Sequence, residues 1–276
     1  MIRLSMMMGR TAAWVACLVL GLGAAVQAGT VDVYSNNVGG DAVVGASPTV
    51  AIGSSGWYYS DVRVGGTIGI DSTFARSGNG SVLFQGDASA GSYKADVSYS
   101  TGESLGKLSD LSSLSYDWYR SAASTNNGIQ APALRLLLGV DGVYKGALVF
   151  EPYYSLTTPG DVATDTWVHS NIFDPNMYMW SNKDLPFQEQ FNHDIEFWKS
   201  EIGSYDILGV SSGIGSGWSG TSIAAVDNIH FGFGEGPGTT YNFEVGAVPE
   251  PASVVSFLIA GGFGLAGAAY RRRRAR

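Results

Sequence analysis

The strongest acid–base candidate in this sequence is His193-Asp194-Ile195-Glu196-Phe197, which sets two carboxyls two residues apart. Retaining glycoside hydrolysis needs two carboxyls ~5 Å apart, one ionised to attack and one protonated to assist departure. Residues i and i+2 of a strand share a face, so the spacing suits that task on a strand. The same stretch also carries a different period. Phe187, Phe191, Ile195, Trp198 and Ile202 recur at intervals of three and four, which predicts an amphipathic helix over 187–202 stopped by Gly203. On a helix, Asp194 and Glu196 become part of a solvated face. His169, His193 and His230 show no metal-ligand spacing, and no nucleophilic serine motif accompanies them. Gly78-Asn79-Gly80 and the glycines at 213, 215 and 217 lack a phosphate-binding lysine and read as turns. The expectation is a protein without catalytic machinery.

Binding chemistry is better represented. Sugar rings present flat C–H faces that pack on aromatic side chains, while their hydroxyls need polar partners. Aromatic clusters occur at Trp57-Tyr58-Tyr59, at Tyr153-Tyr154 after Glu151, and at Tyr178 with Trp180, and Trp218 sits in a glycine-rich loop. Trp57, Tyr59, Tyr154, Trp180 and Trp218 are the candidate glycan platforms, with core packing as the alternative for each. Adjacent aromatics on a strand point to opposite faces, so one of each pair belongs outside. For a metal, Ca²⁺ takes six to eight oxygens, and Asp227 and Asn228 could meet Asp32 or Asp41 where the domain termini converge. The alternative for Asp227 is hydrogen bonding to loop backbone. No other cofactor is expected.

Short β-branched and aromatic runs recur between Gly, Ser, Asn and Asp clusters. Predicted strands begin near Val31, Trp57, Ser81, Tyr93, Leu114, Leu134, Tyr144, Trp167, Ile207, Ile223 and Tyr241. No long linker or fixed-period repeat divides residues 29–247, so one domain is expected. Many short strands with glycine turns predict an all-β fold, a jelly-roll β-sandwich with one inserted short helix. Cys17 is the single cysteine, so the domain has no disulfide.

The two ends read as addresses. Residues 1–28 combine Arg3 and Arg10, an apolar run and Val26-Gln27-Ala28, which predicts a secretory signal peptide cleaved by signal peptidase after Ala28. Near the other end, Val248-Pro249-Glu250-Pro251 precedes an uncharged run from Ala252 to Tyr270, then Arg271, Arg272, Arg273, Arg274 and Arg276. At ~1.5 Å per residue that run could cross a ~30 Å hydrocarbon layer as a transmembrane helix, with the arginines cytoplasmic. The order of these three parts, over residues 248–276, resembles the PEP-CTERM sorting signal of Gram-negative bacteria. The resemblance implies a transient hold in the inner membrane and cleavage near Pro249-Glu250-Pro251 by an exosortase-type enzyme. It also implies release to the cell surface or extracellular matrix, in association with exopolysaccharide and biofilm.

Two further resemblances concern the middle of the chain. Gly215-Ser216-Gly217-Trp218-Ser219-Gly220 followed by Val226-Asp227-Asn228-Ile229 looks like the jelly-roll, concanavalin-A-like modules of PEP-CTERM proteins, which implies fold. The segment 192–196 is similar to the Glu-X-Asp-X-Glu strand of jelly-roll glucanases, but Asn192 occupies the nucleophile position, and an amide cannot form the glycosyl ester. Residues 29–247 hold 9 basic and 23 acidic residues, a net of −14 against −8 for the whole chain. Such a surface repels nucleic acid, and suits neutral glycans or divalent cations. The reading is an exported matrix or surface protein that binds polysaccharide, with a jelly-roll hydrolase or a purely structural protein as alternatives.

Overall fold

The computed structural model describes residues 29–155 and 160–246. The expected signal peptide with Ala28, the span 252–270, and the sorting residues Pro249, Glu250, Pro251, Arg271, Arg272, Arg273 and Arg274 lie outside the described residues. Among the described residues, no helix is long and apolar enough to cross a membrane.

In chain order the strands are β1 (Gly29–Val38), β2 (Val43–Val44), β3 (Val50–Ala51), β4 (Trp57–Ser60), β5 (Gly66–Asp71) and β6 (Ser81–Asp87). There follow β7 (Lys94–Tyr99), β8 (Gly106–Lys107), β9 (Leu111–Arg120), β10 (Ala133–Val140) and β11 (Val143–Phe150). The chain continues through β12 (Trp167–Asn171), β13 (Met179–Ser181), the helix α1 (Ile195–Ile202), β14 (Asp206–Gly215), β15 (Thr221–Phe233) and β16 (Thr239–Gly246).

Two sheets result. The first runs β1-β16-β15-β6-β5-β2, with β9 on the other side of β15 and β12 at its edge. The second runs β13-β11-β10-β14-β7-β4-β3, with β8 on β14. Their facing sides form the core, an all-β sandwich of the jelly-roll type that the strand pattern predicts. Alternation decides which residues enter it: on β10, Leu134, Leu136 and Leu138 are buried inward while Arg135 and Leu137 face out. Trp57 bridges the sheets, with its ring 5.3 Å from Tyr241 and 5.0 Å from Phe243.

Strand β5 had no counterpart in the sequence pattern, because Gly66 and Gly69 dilute its apolar signal. Gly69 is there for close approach: a Cβ at this position would collide with the carbonyl of Asp41. The helix is shorter than its periodicity suggested. It covers Ile195–Ile202, with Asp194 as N-cap accepting from the Phe197 N–H at 2.9 Å. Phe187 and Glu189 have φ of +56°, so the residues before Asp194 are loop, and the four-residue spacing of Phe187 and Phe191 is not helical. Ile195, Trp198 and Ile202 bury one face, and the Trp198 indole donates to the Met179 carbonyl at 3.0 Å.

Candidate functional site

The outward face of the second sheet carries a row of side chains that crosses six strands. Trp180 on β13 pairs with Val149 on β11, and Val149 with Arg135 on β10. Arg135 pairs with Ser211 on β14, Ser211 with Ser98 on β7, and Ser98 with Tyr58 on β4. Five inter-strand steps of ~4.8 Å make this row roughly 24 Å long. The next row places Ala133, Gly213, Asp96 and Ser60 side by side. Gly213 is required there, because a Cβ would occupy the space of the Asp96 carboxylate lying over the sheet. Sheet geometry alone therefore lines up one cross-strand floor of mixed polar and apolar groups.

Loops build walls on that floor. Three adjoining cavities of about 110, 230 and 500 Å³ follow it. The smallest lies between Glu151, Tyr153, Tyr154 and Trp218. The middle one shares Glu151 and Trp218 with it and adds Trp180. Lys94, Arg135, Asn182 and Ser216 then connect the middle cavity to the largest, so the three form one groove. Tyr154 is held by stacking on Phe191, with ring centroids 4.2 Å apart and planes 22° apart, and Trp180 lies 5.5 Å from the same ring.

Charged groups at the base are tied to one another. Arg135 Nη1 donates to Asp96 Oδ1 at 2.9 Å, Lys94 contacts Asp96 and lies 3.1 Å from Asp61, and Arg63 holds Asp61 at 2.9 Å. Burial, with the nearby Arg135 charge, pushes the Lys94 ammonium down to about 7. Burial raises the Glu151 carboxyl, partly offset by Arg135 and by the Trp180 indole donating at 3.2 Å. Burial would raise Asp61 as well, but hydrogen bonds from Arg63 and Lys94 hold it below the usual carboxylate range. The groove thus offers aromatic faces, amide and hydroxyl groups, and a fixed ionic base.

Of the predicted glycan platforms, Tyr154, Trp180 and Trp218 are half-buried and come together along this groove. Trp57 and Tyr59 do not. Both are fully buried core residues on the inward face of β4, and Tyr58 between them is the one that faces out. The Tyr59 hydroxyl donates to Asp41 at 2.8 Å and accepts from the Ile70 N–H at 3.0 Å, so it fastens the N-terminal loop to the core.

The residues of the calcium expectation are engaged in hydrogen bonds within the protein. Asp227 accepts the Phe243 N–H at 2.9 Å and the Ser77 N–H at 3.1 Å, one on each carboxylate oxygen. Asn228 spends its amide on Ser77 Oγ at 2.8 Å and on Asp117 at 2.9 Å. Among the described residues, no group of three His, Cys, Asp or Glu side chains is placed to hold a metal. Asp227 is a clamp on loop backbone, which was the alternative reading. Asp194 caps α1, and Glu196 pairs with Lys199 at 3.2 Å on an exposed turn, so the glucanase-like spacing is not on a strand.

Arg135, Lys94, Asn182 and Tyr144 were missed as site residues. A signal existed for the first: an arginine alternating with leucines in Leu134-Arg135-Leu136 marks an outward position that something must occupy. For the others only the pairing of distant strands brings them together.

Similar solved structures include a family 11 carbohydrate-binding module from Clostridium thermocellum in complex with a β-1,3-1,4-mixed-linked tetrasaccharide. It is 14% identical with a TM-score of 0.37, covering 72% of this chain and 99% of that one. A non-crystalline cellulose specific carbohydrate-binding module, CBM28, is 10% identical with a TM-score of 0.33, covering 73% and 97%. The family 11 xylanase from Neocallimastix patriciarum is 11% identical with a TM-score of 0.31, covering 70% and 99%. No curated protein sequence matches the chain. Residues 247–274 match the family described as the PEP-CTERM protein-sorting motif. The chain is a jelly-roll β-sandwich protein carrying a PEP-CTERM sorting motif, which marks it as exported and processed at the membrane.

Proposed function

We propose that this protein is a non-enzymatic polysaccharide-binding component of the cell surface or extracellular matrix of a Gram-negative bacterium. In this reading it is cut from its tail by an exosortase-type enzyme and serves exopolysaccharide or biofilm. The observation that carries the binding role is the groove on the second sheet, where Tyr154, Trp180 and Trp218 flank a floor of polar groups. Flat aromatic faces beside fixed hydrogen-bonding groups match the two sides of a sugar ring. A row crossing six strands suits an extended chain rather than a single sugar. The three groove carboxyls, Asp61, Asp96 and Glu151, are each committed to protein donors, which favours binding over hydrolysis.

The test is affinity electrophoresis of the full chain, in detergent, through gels containing the producer's own exopolysaccharide. Trp180→Ala and Trp218→Ala are each expected to weaken retention about tenfold, the effect of losing ~1–2 kcal/mol of aromatic contact. Their melting temperatures should stay within a few degrees of the parent, because both side chains are half-buried, Trp180 on the outer face of its sheet and Trp218 at the margin of the core. Unchanged retention in both variants would remove the groove from the binding role.

Sorting has its own measurement. Antibodies against the sandwich should detect the mature surface protein, while antibodies against Arg271–Arg276 should detect the membrane intermediate alone. Intact arginine tails on the mature surface protein would sink the cleavage step.

A further inference from the structure

Cations are scarce in this domain, so their placement carries information. Residues 29–247 hold 9 basic residues against 23 acidic ones. Four of those nine, Arg63, Lys94, Arg135 and Lys183, line the single cavity of about 500 Å³ in the groove. Two carboxylates, Asp61 and Asp96, line it with them. The sign of the local charge is therefore opposite to that of the domain.

The ionic contacts show the same shortage of negative charge. Arg63, Lys94 and Arg135 divide Asp61 and Asp96 among themselves. Lys183 has no carboxylate partner among the described residues, and its ammonium stands 4.8 Å above the Tyr144 ring. The side chains of Lys94 and Arg135 are only 14% and 13% exposed, so both charges are largely removed from water. Burial, with Arg135 beside it, already drives the Lys94 ammonium down to about 7. Asp61 and Asp96 answer the two buried cations, with Glu151 of the adjoining cavity acting on Arg135 as well. The more exposed Arg63 and Lys183 leave the cavity net positive, a charge that a further anion would offset. A ligand carboxylate would supply that anion.

We propose that the groove takes an anionic polysaccharide, a polymer bearing carboxylates such as a uronic acid chain, with its acid groups set against Arg63, Lys94, Arg135 and Lys183. This rests on the glycan-binding reading above and narrows it to a class. Trp180 and Trp218 stand at one end of the cation-lined cavity, and Asn182 and Ser216 lie at the junction. Ring faces and acid groups of one chain thus meet different parts of one groove. The charge pattern reverses the expectation of a neutral glycan drawn from net charge, because net charge averages over a surface and the ligand meets one part of it. A dense polyphosphate is disfavoured by the −14 of the surrounding domain, whereas spaced carboxylates carry less charge per length.

The experiment compares retention of the full chain, in detergent, by polygalacturonate, alginate, carboxyl-reduced polygalacturonate, hydroxyethylcellulose and single-stranded DNA. The expected result is retention by at least one uronate polymer, and at least tenfold weaker retention by the carboxyl-reduced form. Lys183→Gln, at an exposed loop position, should weaken uronate retention about threefold at low salt without moving the melting temperature. Equal retention by polygalacturonate and its reduced form overturns the anionic class while leaving glycan binding intact. Retention by hydroxyethylcellulose alone, or tighter binding to DNA than to either uronate, overturns it too. Retention by none of the five overturns both the class and the glycan reading.

Discussion

Replacing Trp57 with alanine is expected to lower the stability of the sandwich by ~3–5 kcal/mol, the range for truncating a large buried aromatic. The indole is fully buried and packs edge-on against Tyr241 and Phe243 of the opposite sheet and against Tyr99 on its own. Its removal opens a cavity where the sheets meet, and the surrounding strands are hydrogen-bonded and cannot collapse into it. At roughly 2–4 °C per kcal/mol for a domain of this size, the melting temperature should fall by about 6–20 °C. Thermal unfolding followed by circular dichroism measures this directly. The informative comparison is with Trp180→Ala, which should cost far less stability and far more ligand retention. If Trp57→Ala unfolded at the parent temperature, the assignment of this residue to the core would be wrong.

The second large effect concerns Asp227. Its carboxylate takes the N–H groups of Ser77 and Phe243, and in Asp227→Ala both lose their acceptor. Leaving the buried Phe243 donor unsatisfied costs about 1–3 kcal/mol and the half-buried Ser77 donor less, so a loss of roughly 2–4 kcal/mol is expected. The same group gives stability a pH dependence. Burial, opposed by its N–H donors and reinforced by the charge of Asp117, raises the Asp227 carboxyl to about 7. In the unfolded chain the ordinary value is ~3.9. Between those two values the folded protein holds a proton that the unfolded chain has released. The contribution of Asp227 is therefore fully present below pH ~4 and is lost as pH rises through about 7. Melting temperatures of the parent minus those of Asp227→Asn, taken from pH 4 to 8, should fall across that window. A flat difference would mean that Asp227 is ionised throughout. A rise in melting temperature on adding Ca²⁺, absent from the variant, would mean that Asp227 holds a metal in place of its backbone donors.

How much of this was legible beforehand depends on the range over which each feature is encoded. The all-β class followed from local pattern, because alternation and glycine turns act within a few residues, as on Leu134 to Val140. The buried face of α1, Ile195, Trp198 and Ile202, was equally local, yet the periodicity ran on through Phe187, whose φ of +56° belongs to a loop. Spacing counts residues and is blind to backbone handedness. The sorting motif was legible for a similar reason: a membrane and a sorting enzyme read a linear segment before tertiary contacts matter, and residues 247–274 keep that order.

The groove was not legible as a unit. Trp180, Arg135, Ser98 and Tyr58 are far apart in the chain and become neighbours when β13, β11, β10, β14, β7 and β4 pair. An aromatic triplet such as Trp57-Tyr58-Tyr59 told that the faces alternate, but not which face was inside. That choice belongs to strand register: Tyr58 opposite Ser98 puts Trp57 and Tyr59 into the core. Net charge behaved likewise, since −14 describes a whole surface and the fold gathers four of nine cations into one cavity. The sequence by itself therefore determined export, fold class and the supply of aromatic residues, all set by local or linear signals. Only the tertiary structure decided which aromatics are exposed, which cations share a site, and that Asp227 clamps backbone, because long-range pairing places those groups.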